Sequence, residues 1–155
     1  MTSSNQNLIF SGHDSFHCRQ LWLKKGYDFV VNGNGFNDPD SVVNLGVGKN
    51  MVSSIRFWLK AFCVVDDKDD LTEFSKRMFD DEKGYDPFLE DESSLWLLHY
   101  HLIKTGYSSI YSIIFNEFRK EKLFFSKETF VNFMKRVVEG ESGITINENT
   151  VAKDF

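Results

Sequence analysis

The chain has 155 residues, 41% hydrophobic and 15% aromatic, with sixteen Phe, ten Gly and two Pro. That is enough apolar material for one sizeable domain or two small ones sharing a core, and it excludes a disordered chain. A formal net charge of −5 excludes a protein that is basic throughout, the usual balance of a nucleic-acid binder.

The charge is uneven along the chain. Residues 1–65 hold six Lys/Arg and four Asp/Glu, residues 66–100 hold four and twelve, and residues 101–155 hold eight and seven. The negative charge is therefore concentrated in one segment, which leaves room for a modest basic surface elsewhere. Cys18 and Cys63 stand alone, outside any CxxC or Cys/His ligand spacing, as expected of a reduced cytoplasmic protein. The first ten residues lack a charged n-region and a long apolar run, so no signal peptide is expected. No apolar stretch approaches the roughly 20 residues that a membrane span needs.

Met1 to Asn7 is polar. Ile9 to Phe16 (IFSGHDSF) reads as a short strand or extended arm leading into a helix. His17 to Val31 places Leu21, Leu23, Tyr27 and Val30 or Val31 near helical spacing, with Gly26 as the C-terminal cap. Asn32 to Asp38 (NGNGFND) is a turn cluster, and Asp38 or Asp40 is the candidate N-cap of the next helix, with Pro39 near its first turn.

The stretch from Asp40 to Val65, DSVVNLGVGKNMVSSIRFWLKAFCVV, is the most informative. It reads as a short helix, a turn at Gly46-Val47-Gly48 and a long helix from about Lys49 to about Val64, the outline of a helix-turn-helix. Met51, Ile55, Trp58, Leu59 and Phe62 form one apolar stripe at i, i+4, i+7, i+8 and i+11. Lys49, Asn50, Ser53, Ser54 and Lys60 fall off that stripe, and Arg56 lies at its margin. Groove entry needs such a face, because base edges and phosphates are read by donors on a helix that can approach closely. The candidate DNA-contacting residues are Lys49, Asn50, Ser53, Arg56 and Lys60.

Asp66 to Asp70 (DDKDD) is an acidic surface turn, followed by a short helix within Leu71 to Phe79. Asp80 to Glu92 is a second acidic connection, anchored by Tyr85, Phe88 and Leu89. Ser93 to Ile103 reads as a buried helix with Trp96, Leu97, Tyr100 and Ile103 inward, and Ser108 to Phe118 as another. Ser126 is a good N-cap for Phe130 to Val138, with Phe130, Phe133, Met134 and Val137 buried and Gly140 ending the helix. Ile144 to Phe155 begins as a short strand or turn and continues as a helix capped by Asn147 or Asn149.

Catalytic chemistry is thin. His13, Asp14, His17 and Cys18 form the one cluster with metal-ligand character, but it lacks a defined third ligand. A polar buckle tying the arm to the core is the better reading. His99 and His101, at i and i+2, point to different helix faces. Gly46-Val47-Gly48-Lys49 lacks the GxxxxGK[ST] spacing of a phosphate loop. Asp86, Glu90, Asp91 and Glu92 have no paired base or nucleophile and read as a solvated loop. No catalytic residue, metal ligand or cofactor is expected.

Three stretches, FSGHDSFHCRQLWLKKGYD (10–28), VVNLGVGKNMVSSIRFWLKAF (42–62) and GYDPFLEDESSLWLLHYHL (84–102), resemble the signature segments of a bacterial family, domain of unknown function 4007. Asp14 stands where that family favours Glu. The family's members are generally longer, so the chain resembles their N-terminal half. Its members also resemble components of gene clusters that encode phosphoadenosine-phosphosulfate-reductase-like enzymes, found in DNA sulfur modification and phage-defence islands. The resemblance supplies no catalytic residues.

These readings converge on a mainly α-helical protein. A helix-turn-helix or winged-helix-like part at 1–65 packs with a helical part at 66–155, which includes a second, truncated helix-turn-helix from Phe130 to Phe155. The expected function is a non-enzymatic DNA-binding or DNA-targeting accessory protein of a modification or defence system. The alternative is a scaffold for a partner enzyme with no DNA contact. A metal protein centred on His13, Asp14 and His17 comes third.

Overall fold

Helix α3, Lys49–Ala61, is the element around which the rest is assembled. The computed structural model describes Gly12, His13, residues 16–121, Phe124 and residues 126–142, the last five as backbone alone. α1 (Trp22–Val31), α2 (Ser41–Leu45) and α5 (Glu92–Thr105) all pack against α3, and α4 (Glu73–Phe79) packs against α1. Beyond α5 the chain continues as α6 (Ser109–Ile113), a π-helical turn over Ile114–Phe118, α7 (Arg119–Glu121) and α8 (Lys127–Ser142). The fold is mainly α. Among the described residues the β-structure is a single antiparallel bridge, Val65 to Leu71.

The α3 stripe packs inward as its spacing requires. Ile55, Trp58 and Leu59 are buried, while Met51 and Phe62 are half-buried at its ends. The expected end at Val64 is too late. The helix stops at Ala61 because Cys63 takes a left-handed φ of 61°, closed by bonds from Cys63 N to Lys60 O and from Val64 N to Leu59 O. That turn drives Val64 and Val65 into the core. Ser54, expected on the polar outer face, is fully buried, and its hydroxyl donates to the carbonyl of His13 at 2.8 Å.

α1 starts later than expected, at Trp22, and Gly26 does not end it. Gly26 lies inside α1 where the helix crosses α3, and a Cβ there would stand 2.5 Å from Leu59 Cδ1. A cap glycine and a crossing glycine look alike in sequence. Likewise α8 runs through Gly140 to Ser142. Its stripe matches expectation: Phe130, Phe133 and Met134 are buried and Val137 packs beside them. The strand and helix expected over 144–155, and with them the second helix-turn-helix, lie outside the described residues.

Among the described residues two hydrophobic clusters result. One joins α1 to α5 and includes Met78, Phe79, Leu89, Leu98 and Leu102 together with the α3 stripe. The other joins α6, the π-helical turn and α8, and Tyr111 packs against both.

The largest departure is the facing of α5. The helix forms where expected, N-capped by Asp91, whose carboxylate accepts from Ser93 N at 2.7 Å, and closed by Gly106 at φ 62°. Trp96, Leu97 and Tyr100, expected inward, are exposed, and the helix packs on Ser94, Leu98 and Leu102. α5 is apolar nearly all round, so periodicity cannot tell which face the core takes. Tyr85 and Phe88, expected as anchors, are also exposed, and Leu89 alone of the three is buried.

Candidate nucleic-acid interface

α2 ends at Gly46, in the left-handed conformation with φ 60°. Val47 N bonds to Val42 O and Gly46 N to Val43 O, which close the helix and free the chain to turn. Gly48 is extended and starts α3. The glycine turn thus joins a short helix to a long one that it also packs against, the local arrangement of a helix-turn-helix.

The five candidate residues fall into two groups. Lys49, Asn50 and Ser53 are exposed at the N-terminal end of α3. Lys25, which the sequence reading passed over, is exposed on α1, its Nζ about 4.0 Å from where a Cβ on Gly46 would stand. It adds a second cation beside the turn.

Arg56 and Lys60 are placed differently. The acidic turn over residues 66–70 folds back on the outer face of α3, and Asp69 takes Arg56 as a bidentate partner. Arg56 Nη1 also donates to Asn37 Oδ1 at 3.2 Å. Lys60 Nζ lies 3.1 Å from Asp69 Oδ1 and donates to Asp67 O at 2.9 Å. Burial raises the Asp69 carboxyl, but the hydrogen bonds from Arg56 and Lys60 outweigh it and hold Asp69 below its ordinary value. The same bond to Asp69 raises the Arg56 guanidinium. Two of the three expected cations are thus engaged within the chain, sharing the one Asp69 carboxylate. The DDKDD run identifies an acidic turn, but pairing 13 residues apart carries no local sequence signal.

The His13 segment is a buckle. The His13 ring is buried, stacked on Trp58 at 5.0 Å and edge-on to Phe57 at 5.5 Å. The His13 carbonyl accepts from Ser54 and from Phe16 N, and Trp58 Nε1 donates to Phe16 O at 2.9 Å. The arm is therefore pinned on α3. Asp14 lies outside the described residues. His99 and His101 part as expected, His99 to Phe115 and His101 to Phe74. Asp86, read as solvated, is buried, with its carboxylate accepting from the backbone of Glu90 and Asp91 at 2.9 Å each.

This is a mainly helical protein whose N-terminal helices carry a helix-turn-helix outline. It belongs to the family described as Protein of unknown function (DUF4007), whose model matches residues 10–155. Two solved structures are similar. A magnesium ion-bound SspB crystal structure shares 29% identity and a TM-score of 0.72 over 96% of this chain and 47% of that one. An SspB crystal structure shares 30% identity and a TM-score of 0.70 over 96% of this chain and 48% of that one. The chain thus spans about half the length of these relatives. No curated protein matches it. Among the described residues no helix is long and apolar enough to cross a membrane.

Proposed function

We propose that the chain is a non-enzymatic DNA-binding or DNA-targeting component of a bacterial DNA modification or phage-defence system. It contacts duplex DNA through the N-terminal end of α3. The supporting observation is the exposure of Lys49, Asn50 and Ser53 directly after the Gly46–Gly48 turn, where the recognition helix of a helix-turn-helix meets base edges. Lys25 supplies a phosphate contact beside them. Arg56 and Lys60, held by Asp69, contribute little while that turn is in place. The contact is accordingly weak and salt-sensitive.

One relative is magnesium ion-bound. Among the described residues no group of three or more His, Cys, Asp or Glu is placed to hold a metal ion. No step of this reading runs through a metal ion.

The test is fluorescence anisotropy of a labelled duplex titrated with the chain over a range of salt. Binding at low salt with a slope that falls by about 0.9 for each phosphate contact removed supports the reading. Lys49→Glu and Lys25→Glu should each lower the slope without changing the fold, since both residues are exposed. No duplex binding at low salt, or a Lys25→Glu, Lys49→Glu double variant that binds as well as the parent, overturns it.

A further inference from the structure

We propose that the outward face of α5, with Tyr85, docks an amphipathic helix whose apolar stripe is bordered by Lys or Arg, presented by a partner protein. Trp96 is 66% exposed, Tyr100 53% and Tyr85 80%. Large aromatics on this scale are costly to leave in water, and clustered on one surface they mark a contact rather than scattered surface residues.

The shape fits a helix. Tyr85 and Leu97 face Phe74 across a shallow groove of about 410 Å³ between α4 and α5, flanked by Glu73 and Arg77. Trp96 and Tyr100, one turn apart on the same face of α5, continue it. A helix laid along this face would insert residues at i, i+3 or i+4 and i+7 between those rings.

Charge selects the partner. Between Asp80 and Glu92 there are seven carboxylates and one lysine. Glu82, Glu90, Asp91 and Glu92 are exposed in that stretch and at the start of α5, and Asp81 pairs with Lys24, while Arg77 and Lys104 are the cations beside the groove and Tyr100. A second copy of this chain would bring the same acidic rim against itself, which disfavours self-association through this face. A basic rim on the partner would complement it.

The test uses two labelled synthetic helices with the same leucine stripe, one with a lysine polar face and one with a glutamate polar face. Anisotropy is read against the full chain at physiological salt, and the oligomeric state is read by sedimentation. The leucine/lysine helix should bind saturably at one to one, at least tenfold more tightly than the leucine/glutamate helix. Trp96→Ser with Tyr100→Ser should weaken it at least tenfold while circular dichroism and duplex-DNA binding stay unchanged, which separates this face from α3. The proposal is overturned if the double variant binds the lysine helix as well as the parent, since attraction would then be to acidic charge alone. It is also overturned if the two helices bind equally, or if the chain sediments as a dimer that the double variant dissociates.

Discussion

Asp69 holds Arg56 through both carboxylate oxygens, Oδ1 to Nε at 2.9 Å and Oδ2 to Nη2 at 2.6 Å, and Oδ1 also reaches Lys60 Nζ at 3.1 Å. One carboxylate in a turn thereby occupies the two cations on the C-terminal half of the α3 face. Asp69→Asn should release both. Duplex affinity should rise at low salt, and the salt slope should steepen by up to about 1.8, two contacts at about 0.9 each. The bidentate pair is partly exposed, so stability should fall by about 1 kcal/mol. Unchanged DNA binding in Asp69→Asn would show that the lower half of α3 never meets DNA.

Asp69 and Asp86 also contribute to the acid side of the stability profile. Burial pushes both carboxyls up. At Asp69 the bonds from Arg56 and Lys60 prevail, and at Asp86 the backbone N–H groups of Asp91 and Glu90 do, so both lie below their ordinary value of 3.8. A carboxyl depressed in the folded state contributes stability that is present above its unfolded pKa and lost as pH falls through the folded one. Urea midpoints should therefore be flat well above pH 4 and drop below it. Asp86→Asn should lower stability near neutrality and flatten the acid drop. An acid limb as steep as the parent's would assign the loss to other groups.

The sequence was legible where burial follows a regular period and opaque where it does not. The α8 stripe and the Ile55, Trp58 and Leu59 positions of α3 follow from spacing, whereas Val52, Ser54, Phe57 and Ala61 are buried off that stripe because α3 is packed on several sides. α5 defeated the same logic: with Leu95, Trp96, Leu97, Leu98 and Tyr100 in close succession, any face could be the core face, and the fold chose Ser94, Leu98 and Leu102. Gly26 was misread for a related reason, since local rules see a helix breaker and only the crossing with α3 shows a need for room. On the candidate DNA face, spacing puts Lys49, Asn50 and Ser53 off the stripe, where they are exposed, but gives no sign that Asp69 holds Arg56 and Lys60. Asp69 was visible as a surface charge, and its reach back to Arg56 depends on the left-handed turns at Cys63 and Asp69 that no short motif announces.

The crossing of α1 and α3 gives a sharp test of packing. A Cβ on Gly26 would meet Leu59 Cδ1 at 2.5 Å and Cδ2 at 2.8 Å, and Leu59 is fully enclosed. Gly26→Ala should gain about 1 kcal/mol of helix propensity and lose about 1–3 kcal/mol to overpacking, a net destabilisation. Leu59→Val should recover part of that loss when combined with Gly26→Ala, although alone it is destabilising. Additive effects in this double-mutant cycle would mean that the two sites do not touch.

The thiols should be silent in the native state. Cys18 is half-buried, and burial pushes its thiol up to about 12. Burial raises Cys63 too, against the opposing influence of Lys104 and Thr72. Because the thiolate is the nucleophile, iodoacetamide at pH 8 should modify both slowly, with Cys18 the slower, and modify both rapidly in denaturant. Rapid native labelling of Cys18 would show that the segment before α1 opens readily.

Trp58 joins the arm to the core, and two substitutions separate its roles. Its ring is buried in the main cluster and stacks on His13, while Nε1 donates to Phe16 O. Trp58→Ala removes both packing and the bond and should cost about 3–5 kcal/mol. Trp58→Phe keeps much of the apolar contact but leaves the Phe16 carbonyl without that donor, which should cost about 1–3 kcal/mol. Its effect should be local: exchange of the Phe16 and Ser54 neighbourhoods should accelerate more than exchange within α4, because the lost bond ties the arm and not the core. Hydrogen exchange read by mass spectrometry decides this. Uniform acceleration across α1 to α5 in Trp58→Phe would mean that the arm and the core open together, and that the His13 buckle is part of the global fold rather than a strap laid over it.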